Sequence, residues 1–118
     1  MSISKKRRNE LKYICLAYPE KVKQIQEFSY MNGAGFGQGS GNLKTDALEK
    51  KVLRLIEMKK QTELIEQCCL KVFGGDDYQE ALKNITQGIP WEYLEIYMSR
   101  RKFYNLRKTF FEELDEVL

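Results

Sequence analysis

From Leu48 to Val72 the residues Leu48, Val52, Leu55, Thr62, Ile65, Cys69 and Val72 recur mostly at steps of three and four, and glycine closes the run off on both sides. That period draws one stripe along an α-helix of many turns, and such a stripe has to be buried against another helix. A spacing near 3.5 residues over several turns also fits a coiled-coil seam, which Lys59 interrupts. Asp46 and Glu49 have the spacing of a capping pair at the start. At the other end Gly74 and Gly75 readily take the left-handed conformation that terminates helices, so the helix should stop near Phe73.

The flanking segments follow the same period. Leu11, Ile14, Tyr18, Val22, Ile25 and Phe28 mark a helical face, which Pro19 should kink or break at Tyr18. Asp77 to Gln87 reads as a short helix with Tyr78, Leu82 and Ile85 on one side, a capping pair in Asp77 and Glu80, and Gly88 as its stop. "IPWEYLEIY" then restarts a helix with Pro90 in its first turn. Ser99 caps a final helix whose stripe is Phe103, Leu106, Phe110, Leu114 and Val117. The sequence therefore predicts an all-α fold. An N-terminal helical hairpin or coiled-coil segment, residues 1–73 with a glycine-rich linker at 32–45, precedes a helix-turn-helix segment at 76–118. A flexible linker of this length reaches roughly 20 Å, so the long helix can pair within the chain or with a second copy.

The linker carries "GAGFGQGSGNLKT", from Gly33 to Thr45, with glycine at every second position up to Gly41. A phosphate-binding loop requires a glycine directly before the Lys-Thr pair, and Leu43 stands there instead. The dinucleotide pattern fails as well, because its last glycine falls on Gln38, Ser40 or Asn42 and no strand precedes the loop. Composition removes further classes. With no histidine and three cysteines, Cys15, Cys68 and Cys69, neither a Cys/His zinc site nor histidine acid–base catalysis can be assembled. The acidic pairs Asp76–Asp77, Glu112–Glu113 and Asp115–Glu116 read as caps and solvated helix faces rather than catalytic groups. The expectation is a protein that is not an enzyme and uses no cofactor. Without an apolar run of roughly 18 residues, and with "MSISKKRRNELK" lacking an apolar signal core, it is expected in the cytoplasm, with reduced thiols and no membrane contact.

The final helix is the informative one. Off its apolar stripe lie Arg100, Arg101, Lys102, Tyr104, Asn105, Arg107 and Lys108, with no acid between Glu95 and Glu112. Cations at a helix start oppose the helix dipole, a local cost that some other gain must offset. Duplex DNA supplies one, since phosphates attract the cations while arginine and asparagine read guanine and adenine edges in the major groove. A short helix, a turn made by Tyr97 and Met98, and a second helix with a polar N-terminal half describe a helix-turn-helix. One short helix reads little sequence, which favours a dimer on two half-sites. The competing readings are a solvated basic face on an all-helical protein-interaction module, and for "KKRR" at Lys5 to Arg8 a mobile phosphate-contacting arm or a solvated tail.

The run "PWEYLEIYMSRRKFYNLRKTFFEEL", residues 90–114, resembles the C-terminal helix-turn-helix of small phage transcription regulators of the RinA and ArpU type. "LKYICLAYPEKVKQI", a small-residue linker and a long helix near "TDALEKK" are similar to that group's N-terminal order of elements. The resemblance implies a DNA-binding regulator of phage or prophage genes with double-stranded DNA as partner, and admits a contact with RNA polymerase. It carries over Ser99, Arg100, Arg101, Tyr104, Arg107 and Lys108 as DNA contacts, to which the basic face adds Lys102 and Asn105. The turn is shorter than usual and lacks the usual glycine, which leaves room for a related role as a DNA-recognition subunit in phage genome packaging.

Overall fold

The computed structural model describes residues 3–35 and 45–118, with side chains described for 3–28 and 47–118. It is all-helical, with no strand among the described residues. The helices are α1 (Lys5–Leu16), α2 (Tyr18–Gly35), α3 (Thr45–Phe73), α4 (Tyr78–Gln87) and α5 (Arg100–Val117), with a 3-10 turn at Trp91–Tyr93.

Local chemistry sets most of the boundaries. The Ser4 side chain accepts the Arg7 N–H at 3.1 Å and starts α1, so "KKRR" is the first part of a docked helix and not a mobile arm. The break before α2 falls at Ala17, one residue ahead of the position expected from Pro19, whose ring removes a donor from the helical ladder. Gly74 at φ 88° stops α3 after Phe73, and Gly88 at φ 74° stops α4. There the Gly88 N–H reaches the Asn84 carbonyl at 3.0 Å and the Ile89 N–H the Lys83 carbonyl at 3.3 Å, which satisfies carbonyls the helix leaves free. The glycine-rich linker begins later than expected, since α2 continues through Gly35, and residues 36–44 lie outside the described residues. The capping pair at Asp77 and Glu80 does not form: Asp77 makes no side-chain cap, and the Glu80 carboxylate accepts the Glu95 N–H at 2.9 Å instead.

One core joins α1, α3, α4 and α5. Leu11 and Cys15 of α1, Ile65, Cys69 and Phe73 of α3, Ala81 and Ile85 of α4, and Phe103, Phe110, Phe111 and Leu114 of α5 are all buried in it. Phe73 and Phe103 meet with ring centroids 5.4 Å apart. The α4 and α5 helices each pack mainly on α3. The remainder of α3 pairs with α2. Here Tyr18 donates to Glu66, and Lys21 donates to Gln61. Leu55 and Met58 of α3 line a groove with Phe28 of α2, so the helical hairpin forms within the chain.

The expected helix after Pro90 is absent beyond the 3-10 turn at Trp91–Tyr93. From Leu94 to Met98 the side chains alternate: Leu94, Ile96 and Met98 turn to the core, Glu95 and Tyr97 to solvent. Period two is extended backbone, and a helix over these residues would have put half of that apolar set in water.

All three cysteines are unpaired and buried. The Cys69 thiol donates to the Tyr78 carbonyl at 3.3 Å, and burial pushes both Cys15 and Cys69 up from 9.0 to about 12. These thiols hold their protons more tightly folded than unfolded, so their contribution is intact below about 9 and is lost as pH climbs toward 12. At about pH 8 a thiol reagent should therefore modify Cys15 and Cys69 only as fast as the chain opens, and the melting temperature should fall on alkaline titration through that window. Prompt labelling of both in the folded protein would contradict this core.

Candidate nucleic-acid interface

The α5 helix is built as expected at its start. Ser99 is extended, at φ −65° and ψ 156°, and its hydroxyl accepts the Lys102 N–H at 3.2 Å. The segment leading into it is pinned: the Trp91 indole N–H donates to the Met98 carbonyl at 3.2 Å, and Leu94 is buried. Position and direction of α5 are therefore fixed from both ends, by this clasp and by the aromatic core.

Around α5 the charges divide along its length. The first turn holds no acid and the last turn no base, the reverse of what the helix dipole favours. In the C-terminal half, acids tie the helix down. Asp115 accepts from Arg7 Nε of α1 at 2.6 Å, and Glu113 pairs with Lys71 of α3 at 2.8 Å, which raises the lysine pKa above its ordinary value. In the N-terminal half the cations Arg100, Arg101, Lys102 and Lys108 are exposed and take no part in an ion pair among the described residues.

The candidate residues do not all share one surface. Arg101, Asn105 and Lys108 are exposed at steps of four and three, which places them on one strip. Arg100 lies beside that strip with its guanidinium 5.7 Å from the Tyr104 ring centroid, a cation held over an aromatic face. By helical period Lys102 belongs to the flank that carries Glu113. Arg107 departs most from expectation. It is half-buried, its guanidinium lies 5.1 Å from the Phe111 ring centroid, and burial lowers its pKa from the usual arginine value. Its place is the junction with α1.

Two residues adjoin this surface that sequence reasoning passed over. Tyr97 is 100% exposed and Tyr93 77% exposed, both on the pinned segment that enters α5. Both rings stand open to solvent on a backbone that the Trp91–Met98 hydrogen bond holds in place. The alternation of Leu94, Ile96 and Met98 is the signal that would have turned Tyr97 outward.

The chain matches no family model, and comparison with curated proteins and with solved structures finds no match. No helix among the described residues is long and apolar enough to cross a membrane, and no group of side chains there is arranged to hold a metal ion.

The cap gives a direct handle on the surface. Replacing Ser99 with Ala removes the acceptor for the Lys102 N–H and should destabilise the protein by about 1 kcal/mol. Ser99→Asp keeps an acceptor and adds the negative charge the helix start lacks, so its melting temperature should equal or exceed that of the parent. Thermal unfolding of the two variants side by side measures both effects.

Proposed function

We infer that the chain is a DNA-binding protein whose α5 enters the major groove of a duplex. The supporting observation is the division of charge on that helix: Asp115 and Glu113 hold α5 to α1 and α3, while its exposed cations enter no ion pair among the described residues. An unpaired cationic surface set against the helix dipole is a local cost, and phosphate is the partner that offsets it. At 18 residues and about 1.5 Å each, α5 is long enough to follow a groove over several base pairs. In this reading Arg101 and Asn105 meet base edges, Lys108 and Arg100 meet phosphate, and Tyr97 and Tyr104 lie along the strand. The first helix expected for the helix-turn-helix, after Pro90, is replaced by a 3-10 turn and an extended run; in this reading α4, which like α5 packs on α3, takes its place across the connection 88–99.

The resemblance of residues 90–114 to RinA- and ArpU-type regulators supports a cytoplasmic regulator of phage or prophage transcription, working as a dimer on two half-sites with RNA polymerase as a possible contact. A genome-packaging subunit that recognises DNA would use the same helix. Arg101→Ala and Lys108→Ala separate reading from positioning. The first should cost roughly 1–3 kcal/mol on a selected site and relax sequence preference there. The second should weaken all duplexes alike and lower the salt slope by about one. If neither variant changes duplex affinity while circular dichroism shows intact helices, α5 is a solvated face.

A second reading is favoured by the α2–α3 arm, where Leu53 is 61% exposed and Ile56 56% exposed. Apolar side chains on a two-helix arm suit a helix-in-groove protein contact, with a second copy or with another protein. Leu55 faces α2, so the discriminating positions are the exposed pair. Leu53→Lys combined with Ile56→Lys should leave the melting temperature nearly unchanged and shift the sedimentation coefficient to that of the monomer. Unchanged mass would remove this face from the dimer.

A further inference from the structure

Along the first half of α3, Glu49, Leu53, Ile56 and Lys60 follow one another at steps of four, three and four, and all are exposed. That spacing puts them in one strip along the helix. The strip lies on the side of α3 turned away from Leu55 and Met58, which meet α2. Leu53 and Ile56 are each more than half open to solvent, and neither Glu49 nor Lys60 enters an ion pair among the described residues. Among the described side chains of α3, buried ones begin only at Thr62, so the strip belongs wholly to the arm.

The order along the strip is acidic, apolar, apolar, basic. The midpoint between Leu53 and Ile56 is also the midpoint between Glu49 and Lys60. When two such helices lie antiparallel about a two-fold axis at that point, Leu53 meets Ile56 of the second copy and Glu49 meets Lys60 of the second copy, each contact being made twice. A parallel pair would set glutamate against glutamate and lysine against lysine. A different protein would have to carry a matching basic, apolar, apolar, acidic order, whereas a second copy supplies it by construction.

We propose that the outer strip of α3 is an antiparallel dimer seam for a second copy of this chain, with Leu53 and Ile56 at its centre and a Glu49–Lys60 pair at each end. This rests on the arm contact inferred above, to which it gives one occupant and one direction. Phe73 of α3 carries Phe103 of α5, and at 1.5 Å per residue the two Phe73 positions of the pair stand roughly 55 Å apart along the helix axis. The two basic helices therefore sit at opposite ends of the dimer. A seam of four apolar side chains is small, which makes the dimer reversible and concentration-dependent.

The test follows the full chain by sedimentation equilibrium, with circular dichroism and the melting temperature as checks on the fold. Glu49→Lys and Lys60→Glu should each raise the dimer dissociation constant by about tenfold, because attraction becomes repulsion at both ends of the seam. Glu49→Lys combined with Lys60→Glu in one chain should restore the parent value. Direction is read by oxidative cross-linking of Glu49→Cys and Lys60→Cys chains that carry tags of different mass. They should cross-link to each other when mixed, and neither should cross-link to itself. The native thiols are buried and stay out of this reaction. If the charge reversals leave the constant unchanged, or if each cysteine variant cross-links to itself, the antiparallel seam is overturned. A dimer that then still dissociates with Leu53→Lys and Ile56→Lys would keep the face as an interface in another register. If the parent stays monomeric up to its solubility limit, a second copy is overturned as the occupant. Duplex binding by α5 is titrated separately and is decided by none of these outcomes.

Discussion

Burial of the aromatic edge of α5 is the interaction on which the remaining architecture depends. Phe103, Phe110, Phe111 and Leu114 are removed from water almost completely, each worth roughly 1.5–3 kcal/mol relative to exposure. They fill the space between α1 and the second half of α3, and Phe73 on α3 meets Phe103 directly. Among the described residues no other helix brings as many large side chains to the core. With that edge fixed in the core, the opposite face of α5 is fixed toward solvent, and the cations at 100, 101, 102 and 108 have nowhere to go but outward. The geometry of the candidate interface is thus a by-product of aromatic packing on the other side of the same helix.

That coupling explains why a helix with the wrong charge polarity persists. Cations in the first turn and acids in the last both oppose the dipole, at up to about 1 kcal/mol apiece. At the C-terminal end the cost is met within the protein, since Asp115 and Glu113 reach Arg7 and Lys71. At the N-terminal end the Ser99 cap satisfies a backbone donor but supplies no negative charge. The residual imbalance lies where phosphate would cancel it, so in the proposed function what weakens the free helix is what a duplex corrects.

Much of this was legible in the sequence, and the failures have identifiable causes. The stops at Gly74 and Gly88, the cap at Ser99 and the long span of α3 follow from local rules, because a left-handed glycine or a hydroxyl one residue before a helix acts within a single turn. Residues up to Tyr97 read as a helix because Pro90 suits a first turn, whereas Leu94, Ile96 and Met98 carry the period of two that the structure follows. Glu80 was expected at its own helix start but reaches Glu95, fifteen residues away, a choice no local pattern records. Phe111 lies off the single line of the α5 stripe, but a helix packed on both α1 and α3 buries a wider arc. The same single line puts Arg107 outside, when it borders that arc and meets α1. Which helix docks on which is a property of the assembled core, and only the assembled core brings Arg7 to Asp115.

The α3 helix shows how one element serves two environments. Its second half contributes Ile65, Cys68, Cys69 and Phe73 to a core enclosed by α1, α4 and α5, whereas its first half has no buried side chain among residues 47–61 and packs against α2. Two helices in contact shield only the strip between them, so Val52, Leu55 and Met58 stay half-buried. Lys59 lies at the change of environment, beside the groove shared with Val22 and Ile25 of α2, and there its charged end can stay in water while its stem covers apolar surface. A substitution in the second half of α3 therefore acts on the core that orients α5, while one in the first half acts on an arm whose outer face is open. The break in the apolar period at Lys59 marks the boundary between positioning the basic helix and presenting an unpaired surface.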